Sequence, residues 1–333
     1  MKSKTLKNII SSVCFIAILV LLISLTNYIV RNKNEAELIY PYYQEKENSL
    51  DAIFIGSSHI MCGVFPMDLW NDYGIASYDY TSSALVLPQA YYQMIEALKT
   101  QKPKVLVIDV SGAEYENTKI GSREYVHVQL DNTKWSVNKI NAINDLIEDP
   151  DDRLEYYFPF IKFHSRWKDL SESDFKPIKG TTKGAHIGEG TITVSDNFEI
   201  MSRSHIVPLS EYAEEYLRKI LDHCKEQNIN AVLLNTPSVA PVEIQGKYNA
   251  VEIIANEYGV PYLNLMHELD AMGFDLEADM RDEYHCNVNG GQKVTRFVGE
   301  YLKNNYALPD RREDANYSNW HQYYKEYKEI YPY

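Results

Sequence analysis

Ile53-Phe54-Ile55-Gly56-Ser57-Ser58-His59 is an apolar run that stops abruptly in a Gly-Ser-Ser turn. A short unbroken apolar run bounded by a turn suits a strand buried on both faces, as in parallel sheets covered by helices. The pattern repeats outward from it. Residues 105–110 and 231–234 read as further buried strands, and 76–80 and 261–265 as weaker ones. Helical patterns fill the intervals at 88–99, 209–227, 241–258 and 290–304. In the second of these, Tyr212, Tyr216, Leu217, Ile220 and Leu221 fall on one face. Alternating strands and helices predict an α/β fold, a parallel sheet with helices on both faces.

Between Gly112 and Pro208 the alternation breaks for nearly a hundred residues rich in aromatic and polar side chains. A structureless loop of that length is foreign to a compact domain, so residues 112–207 read as an inserted subdomain or lid over the strand ends. Residues 31–49 read as a polar linker containing a helical-looking stretch at 35–47, and 305–333 as a Tyr-rich tail, either a last helix packed on the domain or a sticky surface.

The N-terminal segment has a different character. Residues 9–30 carry no charge, and these 22 residues make about 33 Å of helix, enough to cross a bilayer. Lys2, Lys4 and Lys7 precede them without any acid, which predicts a cytoplasmic N-terminus at residues 1–8 and an extracytoplasmic remainder. No A-x-A-like cleavage site follows, so a retained signal anchor is expected rather than a cleaved signal peptide. The first 33 residues hold five basic and no acidic side chains, leaving 28 basic and 47 acidic in the rest. Such a surface repels phosphate backbones and excludes nucleic acid as the expected partner. Cys62, Cys224 and Cys286 outside the apolar segment form no disulfide framework. Neither they nor His186, His205, His223 and His267 show metal-ligand spacing, so no metal or cofactor is expected.

Two segments carry chemistry. A serine at a strand-to-loop corner has a rigid backbone and an exposed oxygen at the sheet edge where ligands bind. Asp282-Glu283-Tyr284-His285 precedes the last predicted helix; three residues apart, the carboxylate can hold Nδ1 and leave Nε2 facing a serine. Serine, imidazole and carboxylate are the parts of a nucleophilic hydrolase or acyltransferase. Each segment alone also has a structural explanation, as a turn or as the approach to a helix cap.

Gly56-Ser57-Ser58 at the end of the first strand, with Asp282 and His285 near the C-terminus, resembles the SGNH/GDSL hydrolase superfamily. The resemblance implies a flavodoxin-like three-layer α/β/α domain over residues 50–304. It assigns Ser58 as nucleophile, with Ser57 as the fallback, His285 as base and Asp282 as its partner. Two blocks depart from the pattern. Thr81-Ser82-Ser83-Ala84 lacks the expected glycine, and Asp109-Val110-Ser111-Gly112 lacks the expected asparagine donor. An oxyanion hole would then rest on backbone N–H groups, of Ser58 and Ser83, or on a side chain from elsewhere. With the N-terminal anchor, these departures resemble the branch of D-alanyl-lipoteichoic acid transfer and surface-polysaccharide O-acyltransferases. That branch implies acyl transfer to a cell-surface glycan or teichoic-type polymer, with a membrane-bound O-acyltransferase as partner. An esterase or deacetylase of the same fold, and a non-catalytic envelope polysaccharide-binding or scaffold protein, are the alternative expectations.

In the insert, His164, Arg166 and Trp167 are candidates for gripping an anionic polymer and stacking on a sugar. His59 reads as packing at the start of the next helix, and Asp109 as a support for the site.

Overall fold

In the computed structural model, which describes residues 2–333, a helix α1 (Lys2–Val30) precedes a five-stranded sheet. Along the chain follow β1 (Ala52–Gly56), α2 (Ser58–Gly63), α3 (Pro66–Tyr73), β2 (Ser77–Thr81), α4 (Leu87–Ala97) and β3 (Val105–Asp109). The insert holds α5 (Arg123–Asn132), α6 (Val137–Leu146), α7 (Arg153–Tyr157) and α8 (Phe160–Phe163). The domain closes with α9 (Glu211–Glu226), β4 (Asn230–Asn235), α10 (Val242–Tyr258), β5 (Tyr262–Asn264), α11 (Val288–Asn305) and α12 (Ser318–Ile330).

All strands are parallel, in the order β2-β1-β3-β4-β5. This is the flavodoxin-like order, whose direction of winding reverses between β1 and β3 and opens a crevice at their C-terminal ends. The period-2 alternation of each strand feeds two cores. Ile53, Ile55, Tyr78, Tyr80, Leu106, Ile108 and Leu233 face α4, α9 and α10. Ala52, Phe54, Val105, Val107, Val232 and Leu234 face α2, α3 and α11. Both faces are buried, which is why β1, β3 and β4 read as continuous apolar runs. Each large side chain so buried contributes about 1.5–3 kcal/mol. Helix starts follow local rules: Ser210 accepts from the Ala213 N–H to cap α9, and Asn287 accepts from Asn289 and Gly290 to cap α11.

Two sequence expectations need correction, and one alternative is decided. Residues 31–49 are not a free linker. Ile39 and Tyr42 are buried in the sheet core, and the Tyr42 ring lies 5.1 Å from Tyr78 and 4.2 Å from Tyr80. Apolar burial outweighs the polar average of the stretch. The tail is the packed last helix of the two expected alternatives: Tyr317, Trp320 and Tyr327 join the same core, Trp320 packs 5.1 Å from Trp70, and Arg311 holds Asp51 through two 2.9 Å hydrogen bonds.

The insert divides in two. Its helical part builds its own core from Val126, Leu130, Ile143, Leu146 and Tyr156 and leans on α4 and the end of α1, while Tyr125 at the start of α5 reaches the crevice beside Ser58 and Ser83. Residues 176–208, with neither helix nor strand, form a strap. Lys183 O accepts from the Asp79 N–H (2.9 Å), the His186 N–H donates to Met61 O (2.7 Å), and the Val207 N–H donates to Gly246 O (3.1 Å). The strap therefore runs from the β2 edge past α2 to α10. The strap and the stretch from Tyr115 to Tyr125 lie at the strand ends where the sequence placed the whole insert, and the rest packs beside α4 and α1.

Candidate active site

The corner after β1 is built around Asp109 at the end of β3. Its carboxylate accepts from the Ser57 N–H (2.8 Å) and Ser57 Oγ (2.7 Å), and from the Ser111 N–H (2.8 Å) and Ser111 Oγ (2.7 Å). Gly56 is needed for this approach, because a Cβ there would lie 2.1 Å from the Asp109 Cβ. Ser57 also caps α2, its Oγ accepting from the His59 N–H at 3.1 Å. Every hydrogen-bonding group of Ser57 named here is spent on structure, so the fallback nucleophile is an anchor. Ser58, the first residue of α2, is left to face the crevice.

On the opposite side the Asp282–His285 segment forms a tight loop, closed by a bridge between Met280 and Cys286 and by the Arg281 N–H donating to His285 O at 2.9 Å. Asp282 accepts from the N–H groups of Tyr284 (2.9 Å) and His285 (3.0 Å), and its two oxygens lie 2.8 and 2.9 Å from His285 Nδ1. His285 Nε2 lies 2.7 Å from Ser58 Oγ. Partial burial works against the Asp282 charge. The Tyr284 N–H, the His285 imidazole and the nearby Arg281 outweigh it and hold the carboxyl below its usual range. The three residues singled out in the sequence thus meet in one hydrogen-bonded chain, the geometry in which an imidazole can take a proton from a hydroxyl.

His59 packs beside them, its ring 5.8 Å from that of His285. Burial pushes it down to about 4, so it is neutral near pH 7 and offers no second charged site. Cys62 and Cys286 are free and buried, and burial raises both thiols. Among the described residues no group of three or more His, Cys, Asp or Glu is placed to hold a metal ion.

Ser58 and His285 open into a cavity of about 590 Å³. Tyr115 and Tyr125 from the first part of the insert, His186 from the strap, and Arg281 and Tyr284 from the loop line it. Tyr284 sits inside the D-x-x-H segment and Arg281 directly before it, so both were findable there. Glu35 was not. It follows α1 in a left-handed conformation (φ 56°), lines the cavity, and its carboxylate accepts from the Ser83 N–H at 3.0 Å. The expected oxyanion donor Ser83 is therefore at the cavity but engaged, because a carboxylate is a strong acceptor for a backbone N–H.

His164, Arg166 and Trp167 are a second correction, since none lines the cavity. Arg166 Nη1 donates to Val30 O at 3.0 Å and Nη2 binds Asp174 at 2.8 Å, His164 Nδ1 lies 3.0 Å from Ile161 O, and Trp167 is 66% exposed. Unpaired carbonyls at the end of α1 draw the guanidinium, and the segment goes with it.

No protein-family model matches the chain, and no curated protein matches it. Among solved structures, one described as a gut microbial diltiazem-metabolizing enzyme aligns at 11% identity with 78% of this chain and 48% of its own, with a TM-score of 0.29. The chain spans about half the length of that enzyme.

Proposed function

We propose that this chain is a membrane-anchored serine acyltransferase of the SGNH type, acting outside the cytoplasm on a hydroxyl of a cell-surface polysaccharide or teichoic-type polymer. The observation that carries the reading is the unbroken chain from Asp282 through His285 to Ser58 Oγ, at 2.8 and 2.7 Å. His285 Nε2 takes the Ser58 proton as Oγ attacks the acyl carbon, and Asp282 holds the imidazolium in place. The leaving alcohol departs with that proton, giving acyl-Ser58. The polymer hydroxyl then gives its proton to the same imidazole and attacks the acyl-serine, which returns Ser58 protonated. The Ser58 N–H, first in its helix and so without an intrahelical acceptor, suits the oxyanion. The Ser83 N–H joins it when Glu35 swings away.

Transfer is favoured over hydrolysis by the place of the cavity. Glu35 lines it only five residues after Val30, a reach of at most about 18 Å from the end of the apolar helix. An acyl donor delivered at the membrane by a membrane-bound O-acyltransferase fits that position. Lys2, Lys4 and Lys7 before the apolar segment support the orientation.

A fluorophosphonate should label Ser58, and Ser58→Ala should abolish labelling and turnover with the fold intact. His285→Ala should cost about as much as Ser58→Ala, since paired residues fail together. With an activated ester and excess sugar acceptor, acyl-sugar should form faster than free acid. Free acid dominating at every acceptor concentration makes the protein an esterase. A folded chain with neither labelling nor turnover, even with its membrane partner supplied, makes it a binding protein.

A further inference from the structure

We infer that the helical part of the insert is a foot that rests in the headgroup layer of the membrane crossed by α1. The inference depends on reading α1 as a membrane span. α1 is the one described helix long and apolar enough to cross a bilayer, and none of its apolar window is buried in the protein. The insert grips its last two turns. The Phe160 N–H donates to Asn27 Oδ1 at 3.1 Å, Tyr28 Oη donates to Lys176 O at 3.0 Å, and Arg166 donates to Val30 O at 3.0 Å. A small cavity brings Ser24 and Asn27 together with Pro159 and Trp135. From Val30 back to Ser24 is about 9 Å of helix, so the insert descends that far beside the apolar segment.

What it carries there is suited to an interface. Of four tryptophans, Trp70 and Trp320 are core residues, while Trp135 (54%) and Trp167 (66%) are exposed, and both belong to this part. Ile161 and Phe175 are exposed with them. Tryptophan rings are favoured where acyl chains meet headgroups, and lysines there extend their charge to the phosphates. Residues 159–179 hold five basic and three acidic side chains in a chain whose net charge is −14. This local reversal of sign suits an anionic leaflet. Hydrogen bonds to the carbonyls of the helix end fix the geometry, so the foot sets the height of the cavity above the bilayer as well as adding contact.

Tryptophan quenching tests this on the full chain, reconstituted in vesicles of phosphatidylglycerol and acyl-brominated phosphatidylcholine. Bromolipid should remove a substantial part of the emission, about half at most if the two interfacial rings report and the two core rings do not. The Trp135→Phe/Trp167→Phe double variant should lose this quenching. Adding Leu19→Trp to that double variant should restore it, because residue 19 lies inside the span. Quenching of Leu19→Trp with no difference between wild type and the double variant overturns the foot and leaves the span, whatever protein then covers that face. An unquenched Leu19→Trp overturns the span and the foot with it. In neither case does Ser58 labelling change, so the catalytic reading is judged separately.

Discussion

Glu35 holds the Ser83 N–H at 3.0 Å inside a cavity where the proposed chemistry builds negative charge. A carboxylate there opposes an oxyanion twice, by repulsion and by occupying a donor. Glu35→Ala should therefore speed fluorophosphonate labelling of Ser58 by about tenfold, a fraction of the ~10²–10³ that one oxyanion donor is worth. Slower labelling than wild type would show instead that Glu35 assists the reaction. The contrast with Asp282 is instructive. Asp282 and His285 are three residues apart, so local spacing alone announced their contact. Glu35 and Ser83 are joined across the fold with no local signal, and the left-handed backbone at Glu35 is held by its carbonyl, which accepts from the Leu38 (2.9 Å) and Ile39 (3.0 Å) N–H groups.

At the scale of one element, β2 is unusual. Ser77, Asp79 and Thr81 share a face of the strand at period 2, are buried, and have no side-chain hydrogen-bond partner among the described residues. Burial drives the Asp79 carboxyl well above its ordinary value. Below about pH 3.9 both folded and unfolded chains keep this proton. As pH rises further the unfolded chain releases it while the buried group does not, so stability falls until the raised native value is reached. Asp79→Asn should then raise the melting temperature at pH 7, with the gain vanishing near pH 4. A variant less stable than wild type at pH 7 would mean that the carboxyl has a partner in solution. The weak strand signal of 76–80 has the same origin, because polar residues occupy one whole face of β2. Strand β1, apolar on both faces, was legible at once.

For the whole molecule, the tail and the foot set the outcome. A chain ending at Leu308 would strip Tyr317, Trp320 and Tyr327 from the core and leave Trp70 uncovered. Losing one such aromatic contact set costs about 3–5 kcal/mol, so the truncated chain should melt well below the full one or fail to fold in a circular-dichroism scan. At the other end, Trp167→Ser/Phe175→Ser should slow turnover of an acyl donor presented in a bilayer and leave turnover of a soluble activated ester unchanged. Equal losses on both donors would assign these residues to folding.

The amino-acid sequence by itself determined the parallel α/β sheet, the apolar N-terminal helix and the pairing of a Gly-Ser-Ser turn with Asp282 and His285. Each is written in short-range pattern: apolar runs, helical period, charge-free length, a turn after a strand, a carboxylate three residues from an imidazole. Only the tertiary structure decided which serine faces His285, since Ser57 is claimed by Asp109 from a strand 52 residues away. It alone sent His164, Arg166 and Trp167 to the end of α1, folded residues 31–49 and the tail into the core, and set Glu35 on Ser83. These outcomes come from competition among distant groups for burial and for hydrogen-bond partners, and no local stretch of chain records the winner.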